Sequence, residues 1–201
     1  EAGENSGMSG ITERNDSMKK IFTIGIRLTI ICAVASFLLG LVNAVTAPII
    51  TERRQQDFTA AISEVAGGGT VGERIAVDEG AVELYFPITG ANGALTGYVV
   101  QLLESGYGGD LRLLAAFTPD GTITSVKLIE NSETPGLGKK AEEPAYMKKY
   151  LGTGGTSAVP VAKNQLEAAE ADAITGATVT FGAIGRALES GSAFVQTRGG
   201  K

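Results

Sequence analysis

The sequence contains no histidine and only one cysteine, Cys32. These two scarcities exclude haem attached through a Cys-x-x-Cys-His motif, iron-sulfur clusters held by cysteines of this chain alone, and acid-base catalysis centred on histidine. Any redox chemistry in this chain therefore requires an organic cofactor. No catalytic set and no metal-ligand set is predicted.

Basic residues are also few, because 17 Lys and Arg stand against 22 Asp and Glu in 201 residues. Proteins that bind nucleic acid usually carry a basic face or an aromatic platform, and the sequence suggests neither. We therefore expect no nucleic-acid partner. The hydrophobic content of 43% is sufficient for one globular core and one membrane segment.

The N-terminal part changes abruptly from polar to apolar. Residues 1–18 are rich in Gly, Ser and Asn, which predicts a disordered cytoplasmic tail. The stretch from Leu28 to Ala47 contains 20 consecutive uncharged residues, enough at about 1.5 Å per residue to cross a hydrocarbon layer of about 30 Å. We predict a transmembrane anchor over 19–47. A secretory signal peptide is the alternative, but its apolar region is usually about 7 to 15 residues long.

The flanking charges predict the orientation of this anchor. Lys19, Lys20 and Arg27 precede the apolar run, whereas Arg53 and Arg54 follow it. Because basic residues tend to stay in the cytoplasm, we expect a single-pass protein of the cell (inner) membrane with a cytoplasmic N-terminus, an extracytoplasmic main domain and contacts with membrane lipid.

The residues after the anchor predict a stalk and then one domain. Apolar positions at helical spacing indicate a helical stalk over 48–66, and residues 70–198 are expected to form the main domain. Four runs within it have the composition of β-strands and are separated by short turns, namely Val82–Ile88, Leu95–Leu103, Leu111–Phe117 and Ile123–Glu130. Helices are predicted near Pro144–Tyr150 and over Val179–Thr197. The expected fold class is α+β, an antiparallel sheet with packed helices.

The stretch Asp172–Thr180 places small residues and hydroxyls where the last predicted helix begins. Gly176 and Ala177 stand between Thr175 and Thr178. Unpaired backbone N–H groups and the positive end of the helix dipole attract an anion such as phosphate to such a position. An ordinary helix N-cap has the same composition, so the pattern alone leaves both interpretations open.

The sequence Asp172-Ala173-Ile174-Thr175-Gly176-Ala177-Thr178 resembles the attachment signature Asp-x-x-[Ser/Thr]-Gly-Ala-Thr of the covalent FMN-binding domain family. That family includes the G subunits of Rnf-type electron transport complexes and the C subunits of sodium-pumping quinone reductases. The resemblance implies that Thr178 carries FMN through a phosphoester bond made by a separate flavin transferase, which uses FAD and magnesium. It also implies that the cofactor site includes Thr175, Gly176, Ala177 and Thr180. Asp172 would belong to it as part of the recognition signal or as a helix cap. Thr175 and Thr180 are expected to bond the phosphate or the helix end.

A second segment, Ser132–Gly138, resembles the Glu-Thr-Pro-Gly-Leu-Gly loop of the same family, which lies against the flavin ring. Pro135 fixes its own φ and the neighbouring glycines permit tight turns, so we expect the loop to aim successive N–H groups at the ring, with an apolar side chain pressing on it. The residues of this segment expected to contact the cofactor are Glu133, Thr134, Leu137, Gly138 and Lys139. An ordinary Pro-Gly turn is the alternative.

A third segment, Gly106-Tyr107-Gly108-Gly109, is similar to one that lies close to the flavin in this family. Tyr107 is expected to stack on the ring or donate a hydrogen bond. A mobile turn with an exposed aromatic residue is the alternative.

The resemblance covers nearly the whole chain, from the anchor to Leu188. It implies an electron-carrying subunit with covalent FMN in a membrane complex that moves electrons between ferredoxin and NAD and translocates Na⁺ or H⁺. The chain would not be a complete enzyme alone, and its partners would be the other subunits of an Rnf-type complex and the flavin transferase. Three alternatives remain: the C subunit of a sodium-translocating NADH:quinone reductase, a solitary membrane-anchored flavin sensor, and an anchored interaction domain without a cofactor.

Overall fold

The computed structural model describes residues 5–199, with side chains from residue 20 onward except that of Ile21. Helix α1 spans Asn5–Val65 and continues through Pro48. The tail that the sequence predicts as disordered is therefore helical from Asn5 onward, because extending an existing helix costs far less than starting one; residues 1–4 lie outside the described part. Within this part, α1 is long and apolar enough to cross a membrane, with a mean hydropathy of 2.3 over its most apolar window, none of which is buried.

The chain divides into two compact units, one ending at Gln55 and one beginning at Gln56. The last ten residues of α1 therefore belong to the second unit. The sequence predicts a domain that starts at residue 70, whereas the structure places the end of the predicted stalk inside it.

The second unit is built on one antiparallel sheet. Its strands lie in the order β1-β3-β4-β5-β6, and β2 also pairs with β3. The strands are β1 (Thr70–Val71), β2 (Ile75–Glu79), β3 (Val82–Thr89), β4 (Leu95–Ser105), β5 (Asp110–Phe117) and β6 (Ile123–Glu130). The four longest confirm the sequence prediction, whereas β1 and β2 were not predicted, since their short and largely exposed residues carry no alternating pattern.

The helices of this unit follow the sheet in the chain. They are α2 (Pro144–Met147), α3 (Ala168–Ala173) and α4 (Thr178–Gly199), accompanied by 3₁₀ turns over Gly138–Glu142, Lys148–Tyr150 and Lys163–Gln165. Helix α4 is the longest of them and confirms the predicted one to within two residues at either end. The α+β class is therefore confirmed.

The sheet carries a hydrophobic core on each face. One core joins strand residues such as Leu102 and Leu113 to α4, whose Phe181 and Leu188 are fully buried. The other core joins residues of the opposite face, including Leu114, to Ala61, Ile62 and Val65 at the end of α1. Because both faces are covered, the side chains of the central strands are buried in either direction.

The antiparallel order brings two chain segments to one end of the sheet. The β4–β5 turn lies there, because Ser105 pairs with Asp110, and β6 ends there, because Arg112 pairs with Glu130. The segment that follows β6 is consequently placed beside the β4–β5 turn. Both segments carry sequences singled out for their chemistry.

Candidate functional site

Helix α4 begins at Thr178, one residue before the start that the sequence predicts. The preceding turn is made by Gly176, whose φ of +86° is the left-handed conformation that glycine adopts without strain. Ala177 is buried, and its carbonyl oxygen accepts the first helical hydrogen bond, from Phe181 N. The Thr178 side chain is exposed. A hydroxyl group that solvent can reach therefore lies beside the unpaired N–H groups of the first helical turn.

The carboxylate of Glu133 links three segments of the site. One oxygen, Oε1, accepts hydrogen bonds from the backbone N–H groups of Tyr107 at 2.8 Å and Gly108 at 3.2 Å. The other oxygen, Oε2, accepts a hydrogen bond from the Thr180 hydroxyl at 3.0 Å. Glu133 is only 4% exposed. This one side chain therefore holds the β4–β5 turn, the loop after β6 and the first turn of α4 together.

Glycine is required around this carboxylate because larger residues would displace it. A Cβ atom at Gly106 would overlap Oε1 of Glu133, and one at Gly138 would overlap Oε2. A Cβ at Gly108 would overlap the backbone oxygen of Ser132. These glycines thus make room for Glu133 and its loop. Gly138, expected to contact the cofactor, is buried and has this packing role.

The two loops with family-like sequences contact each other. A Cβ atom at Gly176 would lie 2.9 Å from Cδ2 of Leu137, so Leu137 packs directly over this glycine. Gly136, with a φ of +78°, makes the turn that brings Leu137 to this position. Leu137 nevertheless remains 44% exposed.

Three large apolar side chains are exposed on these three segments. Tyr107 is 75% exposed, Leu137 is 44% exposed and Val179 is 52% exposed. Each belongs to a segment tied to Glu133, and exposed apolar groups brought together from separate segments are typical of a ligand surface. The structure therefore offers exposed apolar side chains on the three segments that the Glu133 carboxylate joins.

The internal hydrogen bonds of the loop after β6 differ from the expectation. The backbone N–H groups of Leu137 and Lys139 both donate to the Thr134 carbonyl oxygen, at 3.2 and 3.3 Å, and Lys140 N donates to Leu137 O at 3.1 Å. These donors close the loop on itself, so they are not free to face a ligand. The Lys139 ammonium lies 3.7 Å from Glu142. The Thr134 side chain is exposed.

Thr180 and Asp172 also have partners that the sequence did not indicate. Thr180 is 1% exposed, and its hydroxyl is directed to Glu133 rather than to the end of the helix. Asp172 lies in α3 rather than at the start of α4, and its side chain is 87% exposed. Its carboxylate therefore does not cap α4, although its backbone oxygen accepts a hydrogen bond from Thr175 N at 3.1 Å.

Lys163 is a residue of this region that the sequence analysis did not identify. Its ammonium group donates a hydrogen bond of 2.8 Å to the Thr175 hydroxyl and lies 3.9 Å from Oδ1 of Asp172. Nothing in the local pattern around Lys163 connects it with residues 172–178, because the contact depends on how the intervening segment folds.

Tyr146 is a second such residue. It is 4% exposed, and its hydroxyl is buried without a hydrogen-bond partner among the described residues. Burial raises the pKa of Tyr146, and the negative charge of Glu133 raises this pKa further. The spacing of Tyr146 and Tyr150 on one side of a predicted helix was a usable signal for burial.

Comparison with known proteins places this geometry in a family. The FMN-binding domain family matches residues 106–192, a range that contains all three segments joined by Glu133. The G subunit of the Na(+)-translocating ferredoxin:NAD(+) oxidoreductase complex of Acetobacterium woodii is 34% identical over 183 residues, which cover 83% of this chain and 87% of that protein. The chain belongs to the family of G subunits of ion-translocating oxidoreductase complexes.

Another G subunit matches a similar share of this chain. The G subunit of the ion-translocating oxidoreductase complex of Methanosarcina acetivorans is 29% identical over 190 residues, covering 90% of this chain and 98% of that protein. Among solved structures, Shewanella oneidensis NqrC is 21% identical with a TM-score of 0.47, covering 62% of this chain and 69% of that chain.

The residues of this G-type subunit fit the chemistry of FMN. A planar apolar ring needs an exposed apolar surface, which Tyr107, Leu137 and Val179 supply. Backbone N–H donors and positive charge favour a phosphate group; the first turn of α4 has unpaired N–H groups, and the Lys163 ammonium group contacts Thr175 in the loop before that turn. Thr178 is the exposed hydroxyl residue at the start of that turn.

Proposed function

We propose that this chain is the FMN-carrying redox subunit of an ion-translocating ferredoxin:NAD oxidoreductase of the Rnf type. Family membership and the match to the FMN-binding domain support this function. The observation that carries it in the structure is the Glu133 carboxylate, which assembles the three family-like segments at one end of the sheet. The chain acts together with other subunits of a membrane complex.

The contribution of the protein to the redox reaction is to bind and orient the cofactor. When bound, FMN accepts and donates electrons, and the protein adjusts its potential through the groups around the ring. Tyr107, Leu137 and Val179 provide the apolar contact surface, and the Glu133 hydrogen bonds fix the backbone that carries them. A surface fixed in advance loses little conformational entropy on binding.

We further propose that the cofactor is bound covalently to Thr178. The Thr178 oxygen attacks the FMN phosphorus of FAD, the bond between this phosphorus and the bridging oxygen of the AMP moiety breaks, and AMP leaves. The hydroxyl proton passes to a base of the flavin transferase, because a threonine hydroxyl is a poor nucleophile without one. The exposure of Thr178 and its place at the start of α4 support this assignment.

Intact mass spectrometry tests the attachment. The protein produced together with a flavin transferase should gain the mass of one FMN less one water, and Thr178→Ala should gain nothing because the accepting oxygen is gone. Thr156→Ala, at an exposed threonine of the same unit outside this loop, is the control and should be modified like wild type. An unmodified wild-type protein under these conditions would contradict the covalent bond.

We also propose that α1 anchors the chain in the membrane and that the second unit lies outside the cytoplasm. Lys20 and Arg27 on the N-terminal side of the apolar segment support this orientation. Protease added to the outside of intact cells should cut the second unit and leave the anchor in the membrane. Complete protection of the second unit would reverse the proposed orientation.

Purification tests the assignment to a complex. A redox subunit of a translocase should be isolated with several other membrane proteins, whereas a solitary flavin sensor should be isolated alone. Isolation from native membranes in mild detergent, followed by identification of the co-purified chains, separates the two. A monodisperse single chain would favour the sensor.

A further inference from the structure

The backbone at Lys163 is fixed by hydrogen bonds of a short 3₁₀ turn. Lys163 begins the 3₁₀ turn Lys163–Gln165, and the Gln165 side-chain oxygen accepts hydrogen bonds from the backbone N–H groups of Val161 at 2.7 Å and Ala162 at 2.8 Å. These two bonds fix the backbone immediately before the lysine. The position of the Lys163 Cα is therefore set independently of what its side chain binds.

The segment before this turn is packed closely against α4. A Cβ atom at Gly185 would overlap the Pro160 carbonyl oxygen, and one at Gly182 would lie 2.9 Å from the Val161 carbonyl oxygen. Val159, next to them, is 5% exposed. The two glycines of α4 thus let Pro160 and Val161 approach the helix that begins with Thr178, and Lys163 follows two residues after Val161.

The side chain of Lys163 reaches the loop between α3 and α4. Its Nζ donates to Thr175 Oγ1 at 2.8 Å, and the Thr175 hydroxyl donates in turn to the Ala171 carbonyl oxygen at 3.4 Å. Asp172 Oδ1 lies 3.9 Å from the same Nζ. Lys163 consequently ties the end of α3 to the loop that leads to Thr178.

Two other cations of this unit form ion pairs outside the loop between α3 and α4. Lys139 pairs with Glu142, and Arg186 pairs with Glu104. Lys163 is 41% exposed and its ammonium group carries three donors, only some of which its contacts with Thr175 and Asp172 occupy. An ammonium group of this kind attracts an approaching phosphate.

We propose that Lys163 is a positioning residue for the transfer of FMN phosphate to Thr178. It orders the accepting loop through Thr175, and its positive charge favours the approach of the phosphate-bearing donor. The inference rests on the proposed covalent attachment, and the reaction is the one given above, in which Thr178 forms the new bond to phosphorus and AMP leaves. Lys163 itself forms no covalent bond.

The test is the rate of modification of the full-length, unmodified protein in detergent. The purified protein is mixed with flavin transferase, FAD and Mg²⁺, and the modified fraction is followed by intact mass at several protein concentrations. Lys163→Ala and Lys163→Gln should be modified about two- to fivefold more slowly, the effect of losing one exposed charged contact. Lys163→Arg should restore most of the rate. Lys148→Ala, which removes an exposed lysine of the same unit, should behave as wild type.

Salt and concentration separate a charge effect from a general loss of structure. The advantage of wild type over Lys163→Gln should shrink as ionic strength rises, because salt screens exposed charges. The thermal unfolding midpoints of the two proteins should agree, and the rate at saturating protein should differ less than the rate at low concentration. If the substitution only destabilised the protein, the rate would fall by the same factor at low and at saturating protein concentration and at every salt concentration. This result would overturn the proposal.

Two further results would also overturn it. Equal rates for wild type, Lys163→Ala and Lys148→Ala would show that the lysine is irrelevant to transfer. An arginine variant as slow as the alanine variant would show that charge at this position is not what matters. A wild-type protein that gains no mass at all would instead remove the covalent attachment, and this inference with it.

Discussion

At the scale of single residues, Glu133 is the side chain on which the site depends. Its carboxylate is 4% exposed and accepts three hydrogen bonds from Tyr107, Gly108 and Thr180. Buried polar groups are costly when they lose their partners, because no water replaces the missing hydrogen bond. The same residue that connects the segments therefore stabilises the unit.

Glu133→Ala should lower the free energy of unfolding by about 3 kcal/mol, since it leaves two backbone donors and one hydroxyl without their acceptor. Glu133→Gln should cost about 1 kcal/mol, because its side-chain oxygen still serves the backbone donors and its amide can donate to Thr180. Denaturant unfolding of both variants measures the difference. Glu143→Ala, at an exposed glutamate, is the control and should change little. Equal stability of the two alanine variants would contradict this role of Glu133.

Leu137 is a second residue whose packing bears on ligand binding. Its side chain packs over Gly176 yet remains 44% exposed, so it is held in place on one side and free on the other. This arrangement suits a residue that presents an apolar surface to a ligand, because its conformation is restricted before binding. The left-handed turn at Gly176 makes the arrangement possible.

At the scale of elements, the last turns of α1 are part of the domain core. Ala61, Ile62 and Val65 are buried against the sheet face opposite α4, and Glu64 forms an ion pair with Lys127 of β6. Without this part of the helix, one face of the sheet would expose its apolar side chains to water.

Ile62→Ala should therefore destabilise the second unit by about 2 to 4 kcal/mol, the usual cost of emptying a buried isoleucine site. Denaturant unfolding of a fragment that starts at Gln56 measures this cost without the apolar segment. Ile75→Ala is the matched control, since Ile75 in β2 is 39% exposed. The prediction fails if the two variants lose the same stability.

At the scale of the whole molecule, a charged network joins four strands of the sheet. Arg112 in β5 pairs with Glu83 in β3 at 2.9 Å and also with Glu130 in β6, and Gln101 in β4 donates to Glu83. Burial raises the pKa of Glu83, but the hydrogen bonds from Arg112 and Gln101 outweigh burial, so the pKa lies below its ordinary value. The hydrogen bond with Glu83 raises the pKa of Arg112, so its positive charge persists.

This network predicts how stability depends on pH. Because the pKa of Glu83 is lower in the folded state than in the unfolded state, its contribution is present above the unfolded pKa of about 4.3 and is lost as pH falls through the folded value. The free energy of unfolding should fall less steeply below about pH 5 in Glu83→Gln than in wild type. Denaturant unfolding at a series of pH values measures both slopes. Glu143→Gln should keep the wild-type slope, and equal slopes for all three proteins would refute the prediction.

The sequence by itself determined the features that depend on local pattern. The uncharged run from Leu28 to Ala47 predicted a helix long enough to cross a membrane, and four runs of strand-like composition between short turns predicted the four longest strands. The start of α4 was predicted to within one residue from small residues and hydroxyls before an amphipathic segment. Each of these signals lies within about twenty neighbouring residues, the range over which side-chain periodicity acts.

Only the tertiary structure decided how distant residues meet. Glu133 and Thr180 are 47 positions apart in the chain, and Lys163 contacts Thr175 where two glycines of α4 let the segment before Lys163 approach the helix. The inclusion of the end of α1 in the core and the closure of the loop after β6 on Thr134 likewise depend on packing. A local pattern indicates which face of an element is apolar. The partner of a buried carboxylate or of a lysine depends instead on the order of the strands and on how closely separate backbone segments approach each other.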